Sequence, residues 1–271
     1  MRVAYPGREG AHSAAACQRL FPEAELVPLP SFADVVARSV ELDAGVLPIE
    51  SSLAGPVAET HDLLVGSALS INAEAIIPIR HFLVGPAEIE LDRIRIVRSH
   101  PVALDQCRRL LASLPQATAI AAATTADAAA QVASDDDPAE VAIASERAAA
   151  LHGLHVLAAD VGDHPEAYTR FVAVSPRTRL DGDRSDWRLA FSFVTDHRPG
   201  ALHRALEPFG RHALDLVQLT SRPIPQTPWR YRFDAVLAGH PLDPLVRETL
   251  GETRSLVRRL VVFGSYPPAQ S

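Results

Sequence analysis

Short apolar runs alternate with stretches of helical length along the first two-thirds of the chain, and this rhythm restricts the fold more than any other feature. Residues 2–5, 25–29 and 44–48 read as strands, and 71–84 is apolar enough for one long strand or two. Helices are expected over about 11–21, from a Ser31 cap with Asp34 three residues on to about 42, and through 63–64. The rhythm resumes with strands at 94–97, 117–121, 141–144 and 170–174. The intervening helices run from a Ser99 cap and Pro101 to about 112, over 125–133, and over 146–151 before Gly153. Strands separated by helices of this length indicate an α/β fold with a parallel sheet, and two such runs indicate two lobes with ligand between them.

Residues 176–186 have no apolar period and read as a linker. After it the order changes to strand 187–194, helix 199–209, strands 214–221 and 231–237, helix 241–250 and strand 256–263. That βαββαβ order is ferredoxin-like, and its length suits a small separate domain.

Composition removes several chemistries. The chain has 271 residues, 47% hydrophobic and 22% charged, with a net charge of -7 and no basic stripe, so a nucleic-acid role is not expected. Its 26 basic residues are all arginine, which excludes a lysine Schiff base, a pyridoxal phosphate linkage and a P-loop. Cys17 and Cys107 make no disulfide framework, and the histidines show no metal-ligand spacing. Gly7-x-x-Gly10 lacks the full dinucleotide fingerprint. No apolar run is long enough for a membrane span, and the first residues have no export-signal pattern; the expectation is a cytoplasmic protein.

Four constellations remain. Pro48-Ile49-Glu50-Ser51-Ser52-Leu53-Ala54-Gly55 ends a strand, where open α/β sheets collect ligands, although a polar turn would look the same. Ser99-His100-Pro101, with Gln106 about two turns on, is either an anion-binding helix start or only a cap. Thr124-Thr125-Ala126 repeats that junction. Thr169-Arg170-Phe171 opens a strand that turns Thr169 and Phe171 to one face and Arg170 to the other, where the guanidinium reaches solvent or meets an anion.

In order and spacing these motifs resemble the prephenate dehydratase family. The likeness runs from Gly7-Arg8-Glu9-Gly10-Ala11-His12-Ser13 through the three loops above and Gln106-Cys107 to Thr169-Arg170-Phe171. The tail resembles an ACT regulatory domain at Pro199-Gly200-Ala201-Leu202 and Ser221-Arg222-Pro223. Ser51 and Ala167 stand where the family usually has Asn, Thr220 where it prefers Glu, and Asp215 where Asn is common.

The resemblance implies a two-lobed, periplasmic-binding-protein-like catalytic domain over 1–176, a linker over 177–186 and an ACT domain over 187–271. It implies conversion of prephenate to phenylpyruvate, CO2 and water in phenylalanine biosynthesis, with no cofactor and no metal. Thr169, Arg170, Ser51, Ser52 and Gln106 would be catalytic, with Arg170 on a substrate carboxylate and Thr169 donating to the departing hydroxyl. Ser13, Glu50, Gly55, Ser99, Thr124, Thr125 and Phe171 would bind substrate. Phenylalanine would bind Pro199, Gly200, Ala201, Leu202, Ser221, Arg222 and Pro223, and the chain would pair through its ACT domain as a homodimer or homotetramer. A prephenate decarboxylase, an arogenate dehydratase and a non-catalytic amino-acid sensor are the competing readings.

Overall fold

The computed structural model describes residues 1–178, 180, 186–224 and 227–269, and the statements below concern these. Most of the linker expected over 177–186 lies outside them.

The first lobe comprises β1 (Arg2–Pro6), α1 (His12–Leu20), β2 (Glu25–Leu29), α2 (Phe32–Arg38), β3 (Ala44–Ser51), β4 (Gly55–Pro56), α3 (Ala58–Gly66) and β5 (Ser70–Pro78). The chain then crosses to the second lobe: β6 (Phe82–Gly85), β7 (Ile96–Ser99), α4 (Pro101–Asp105), α5 (Arg108–Ser113), β8 (Thr118–Ala121), α6 (Thr125–Asp135), β9 (Glu140–Ala144), α7 (Glu146–His152) and β10 (His155–Ala158). It returns as β11 (Tyr168–Ser175), which enters the first lobe between β3 and β5, antiparallel to both.

The α/β expectation holds, but the sheets are mixed rather than parallel. β1 pairs β2 and β3 in parallel, and β7 pairs β8 and β9 in parallel. The strands next to the two crossings, β11 and β6, pair antiparallel with their neighbours. The second lobe therefore begins at Phe82, before the expected strand at 94–97.

One helix expected from 101 to about 112 is two, α4 and α5, broken at Gln106 and Cys107. The break is supported from outside: the Asp163 carboxylate accepts from Arg108 N at 2.9 Å and Arg109 N at 3.1 Å, satisfying donors that open α5. Ser99 is not the cap of α4. It ends β7, fully buried, and its hydroxyl donates to the Ile143 carbonyl at 2.6 Å, while His100 Nδ1 accepts from Val102 N. The caps at Ser31 and Thr124 stand as expected, and Gly153 closes α7 in the left-handed conformation.

The C-terminal unit is β12 (Arg188–Val194), α8 (Ala201–Arg211), β13 (Leu216–Pro223), β14 (Tyr231–Ala238), α9 (Pro244–Leu256) and β15 (Arg259–Tyr266). Its strands lie in the order β13-β14-β12-β15, the ferredoxin-like arrangement. It is not set apart from the first lobe, because β15 pairs with β5 through Gly264 and Ile71 and makes the two sheets continuous. The core follows that seam: Ala190, Phe263 and Tyr266 are packed in one apolar cluster with Leu47, Ile71, Val172 and Val174. A second cluster, with Tyr5, Cys17 and Phe171, fills the α1 side of the first lobe.

Candidate active site

Alternation along β11 sorts its side chains. Thr169 and Phe171 line a cleft of about 540 Å³ between the lobes, and Arg170, on the opposite face, does not. On β3 a bulge opposite Arg170 and Phe171 adds a residue, so Pro48 and Ser51 both face the cleft although they are three positions apart. Glu50 is turned the other way, onto Arg170.

From the first lobe the cleft also receives Ser13 and the beginnings of α1, α2 and α3, at His12, at Ser31 and Phe32, and at Val57. From the second lobe come His100, Gln106, Thr124 and Thr125, and the crossings supply Ile79, His81 and Ala167. Among the described residues no arginine lines it. Anion binding here therefore falls to hydroxyls and to the N–H groups that open helices, where the backbone dipole adds positive potential. The α1 start has no side-chain cap, so its first N–H groups keep that capacity.

The hydroxyls differ in how far they are already engaged. Ser13 donates to the Pro6 carbonyl at 2.5 Å, and Thr124 donates to Asp127 Oδ2 at 2.7 Å. Ser51 Oγ accepts from Leu53 N and Ala54 N, which leaves its proton available. Among the described residues nothing hydrogen-bonds to the hydroxyls of Thr169 or Thr125.

Three histidines border the cleft, and burial favours the neutral form of each. It pushes His12 down to about 4, with the nearby His81 adding to the effect; the two rings stand edge to face at 6.4 Å. Burial lowers His81 too, against the opposing influence of its contact with Gln106, and it lowers His100. His12 and His100 sit inside two of the motifs singled out in the sequence, whereas His81 lies in none of them; the fold brings the three to one cleft.

Of the residues expected to act, the cleft gathers Ser13, Ser51, Gln106, Thr124, Thr125, Thr169 and Phe171. Five others lie elsewhere. Arg170 and Glu50 form an ion pair at 3.3 Å on the far face of the sheet, with Glu74 3.7 Å from the guanidinium. Ser52 fastens β3 to β11, its Oγ accepting from Tyr168 N at 2.9 Å. Gly55 forms the turn into β4 at a φ of 76°. Ser99 is the buried strand residue described above.

A second pocket, of about 810 Å³, lies on the C-terminal unit and takes in Pro199, Gly200, Ala201 and Leu202. Asp196, Arg230, Arg258, Ile224, Tyr231 and Phe233 also line it, a mix of charge and apolar wall that suits an amino acid. Ser221, Arg222 and Pro223 do not line it. Alternation along β13 turns Arg222 toward α3, where its guanidinium donates to the Ala58 carbonyl at 3.1 Å and Asp62 at 3.3 Å, while Ser221 and Pro223 are exposed.

The family model for prephenate dehydratase matches residues 3–179. The chain is 33% identical over 279 residues to a chloroplastic arogenate dehydratase/prephenate dehydratase of Arabidopsis thaliana, across 98% of this chain and 73% of that one. Its fold matches that of a prephenate dehydratase from Arthrobacter aurescens in complex with L-Phe, with a TM-score of 0.90, 31% identity and coverage of 100% and 90%. It also matches GqqA, described as a novel type of quorum quenching acylase, with a TM-score of 0.87, 29% identity and coverage of 99% and 98%.

Proposed function

This chain belongs to the prephenate dehydratase family, and on that premise we propose that it converts prephenate to phenylpyruvate, CO2 and water. The observation that carries the reading is the cleft itself, where Thr169 and Ser51 of one lobe meet Gln106, Thr124 and Thr125 of the other around the wall of Phe171. Prephenate is a dianion. In this reading its carboxylates go to the helix starts at His12 and Thr125, which border the cleft, without an arginine.

In the reaction the ring carboxylate leaves as CO2, and its C–C bonding pair enters the ring. The ring hydroxyl departs with a proton supplied by solvent and leaves as water, and aromatisation drives the change. Thr169, whose hydroxyl has no described partner, hydrogen-bonds the departing oxygen. A threonine hydroxyl is a weak acid at neutral pH, so positioning carries much of the rate. Three neutral histidines add no fixed charge, consistent with a site that must let an uncharged molecule of CO2 leave.

The C-terminal unit is read as an ACT domain whose 810 Å³ pocket takes phenylalanine as an inhibitor. Its edge strand β13 exposes Val217 and Leu219, a surface suited to pairing as a dimer or tetramer. A cytoplasmic location is part of this proposal. Separately, no described helix is long and apolar enough to cross a membrane.

An acylase of the serine or threonine kind needs a hydroxyl activated by a base. Among the described residues no cleft hydroxyl is hydrogen-bonded to a histidine, which favours the lyase reading. The test is a product assay on the purified chain with prephenate, arogenate and an N-acyl homoserine lactone. Phenylpyruvate from prephenate is the expected result. Phenylalanine from arogenate alone would reassign the substrate, and acyl release without any aromatic product would reject the proposal.

A further inference from the structure

Thr169 and Phe171 face the cleft, but the arginine between them faces the C-terminal unit. Its NH1 lies 3.3 Å from Glu50 Oε2, and Glu50 Oε1 accepts from Gln218 Nε2 of β13 at 3.1 Å. Glu50 is flanked by Ser51 on the cleft side, as Arg170 is by Thr169. In register Arg170 sits opposite Glu50 and Thr169 opposite Ser51, so one pair of backbone partners faces the cleft and the next faces away. β13 leads from Gln218 to Ile224, just past its end, and Ile224 lines the pocket of the C-terminal unit. A hydrogen bond and an ion pair therefore join Gln218 to Arg170, and the backbones of β13, β3 and β11 carry that path on to the pocket at one end and to the cleft hydroxyls at the other.

We propose that Gln218, Glu50 and Arg170 relay occupancy of the C-terminal pocket to Thr169 and Ser51, and that Arg170 is a positioning residue instead of a ligand for substrate. The inference rests on the reading of the cleft as a prephenate site and of the C-terminal pocket as a phenylalanine site. The relay works through discrete geometry. A ligand that shifts the end of β13 moves the Gln218 amide relative to Glu50, and the carboxylate must then keep either Gln218 or its present hold on Arg170. Losing that hold leaves a half-buried guanidinium whose Nε already has no hydrogen-bond partner, so β11 resettles, and Thr169 with it.

The test uses the full chain with prephenate as substrate and phenylalanine as probe. Gln218→Leu keeps the side-chain bulk and removes the contact with Glu50. Its turnover without phenylalanine is expected to stay within about twofold of the parent, and its calorimetric phenylalanine affinity within about threefold. The concentration that half-inhibits turnover should rise at least about fivefold, the lower range of measured site-to-site couplings. Arg170→Gln should lower kcat with KM nearly unchanged, and Arg170→Lys should restore part of it. Inhibition by phenylalanine that is unchanged in Gln218→Leu overturns the relay while leaving the reaction standing. A rise in KM without a fall in kcat in Arg170→Gln overturns its positioning role and returns it to substrate binding. A parent chain that never turns over prephenate removes both the reaction and the relay.

Discussion

His81 Nε2 lies 2.8 Å from Gln106 Oε1 and joins the first crossing between the lobes to the end of α4. With His81 neutral, its Nε2–H donates to the amide oxygen, and the Gln106 NH2 group is then left to donate into the cleft. His81→Phe keeps the ring volume but lets the amide rotate. Its kcat/KM for prephenate should fall about tenfold or more, since small misplacements of a positioning group are costly. Steady-state kinetics, with circular dichroism to verify the fold, checks this; an unchanged kcat/KM would show that the amide orientation does not matter.

Thr169→Ala should lower kcat on the order of 10²–10⁴-fold, the range for one positioned acid–base group, with a smaller effect on KM. Thr169→Ser should retain most of the activity. An alanine variant at the parent rate would take Thr169 out of the mechanism.

Ser99→Ala separates a structural hydroxyl from a binding one. Loss of the buried bond to the Ile143 carbonyl should cost about 1–2 kcal/mol in urea denaturation, with KM close to the parent value. A large rise in KM at parent stability would return Ser99 to the substrate.

Stability should decline as pH falls from about 6.5 toward 4. Folded His12 resists protonation down to about 4, whereas an unfolded histidine takes its proton near 6.5. Below 6.5 the unfolded chain binds more protons, so the stabilisation present above that value is lost progressively, on the order of 3 kcal/mol for full titration. His81 acts in the same direction. Denaturation curves at pH 7.5 and 4.5 for the parent and His12→Leu test this: the variant should lose less stability between the two.

Gly264 is the point where the two sheets meet. Its φ is 147°, and a Cβ there would lie 2.3 Å and 2.4 Å from the Ile71 carbonyl oxygen and amide nitrogen. Neither backbone group can move aside, so Gly264→Ala should destabilise the chain by about 3 kcal/mol or more. A melting temperature equal to the parent's would mean that the seam opens without penalty.

Much of this architecture is legible in the amino-acid pattern because it is local. Ser31 and Thr124 announce their caps through an acidic residue three positions on, and alternation from Thr169 to Phe171 fixes which faces they share. What the pattern hides depends on distant partners. The break after Gln106 is set by Asp163, and the burial of Ser99 by Ile143. The direction of Arg170 is legible too, but its destination is not: nothing nearby in sequence reveals that Gln218 and Glu74 wait on that face. His81 escapes notice for the same reason, since only the fold brings it against His12.

The second lobe is inserted inside the first, and β11 fills the slot between β3 and β5 only after that insertion is complete. During synthesis β3 and β5, which flank this slot, must wait with their facing edges open until the second lobe and β11 have been made. Unpaired edges of this kind invite pairing with other chains. The hazard for this protein therefore lies in its birth: a nascent chain stalled before residue 168 is the form most exposed to aggregation.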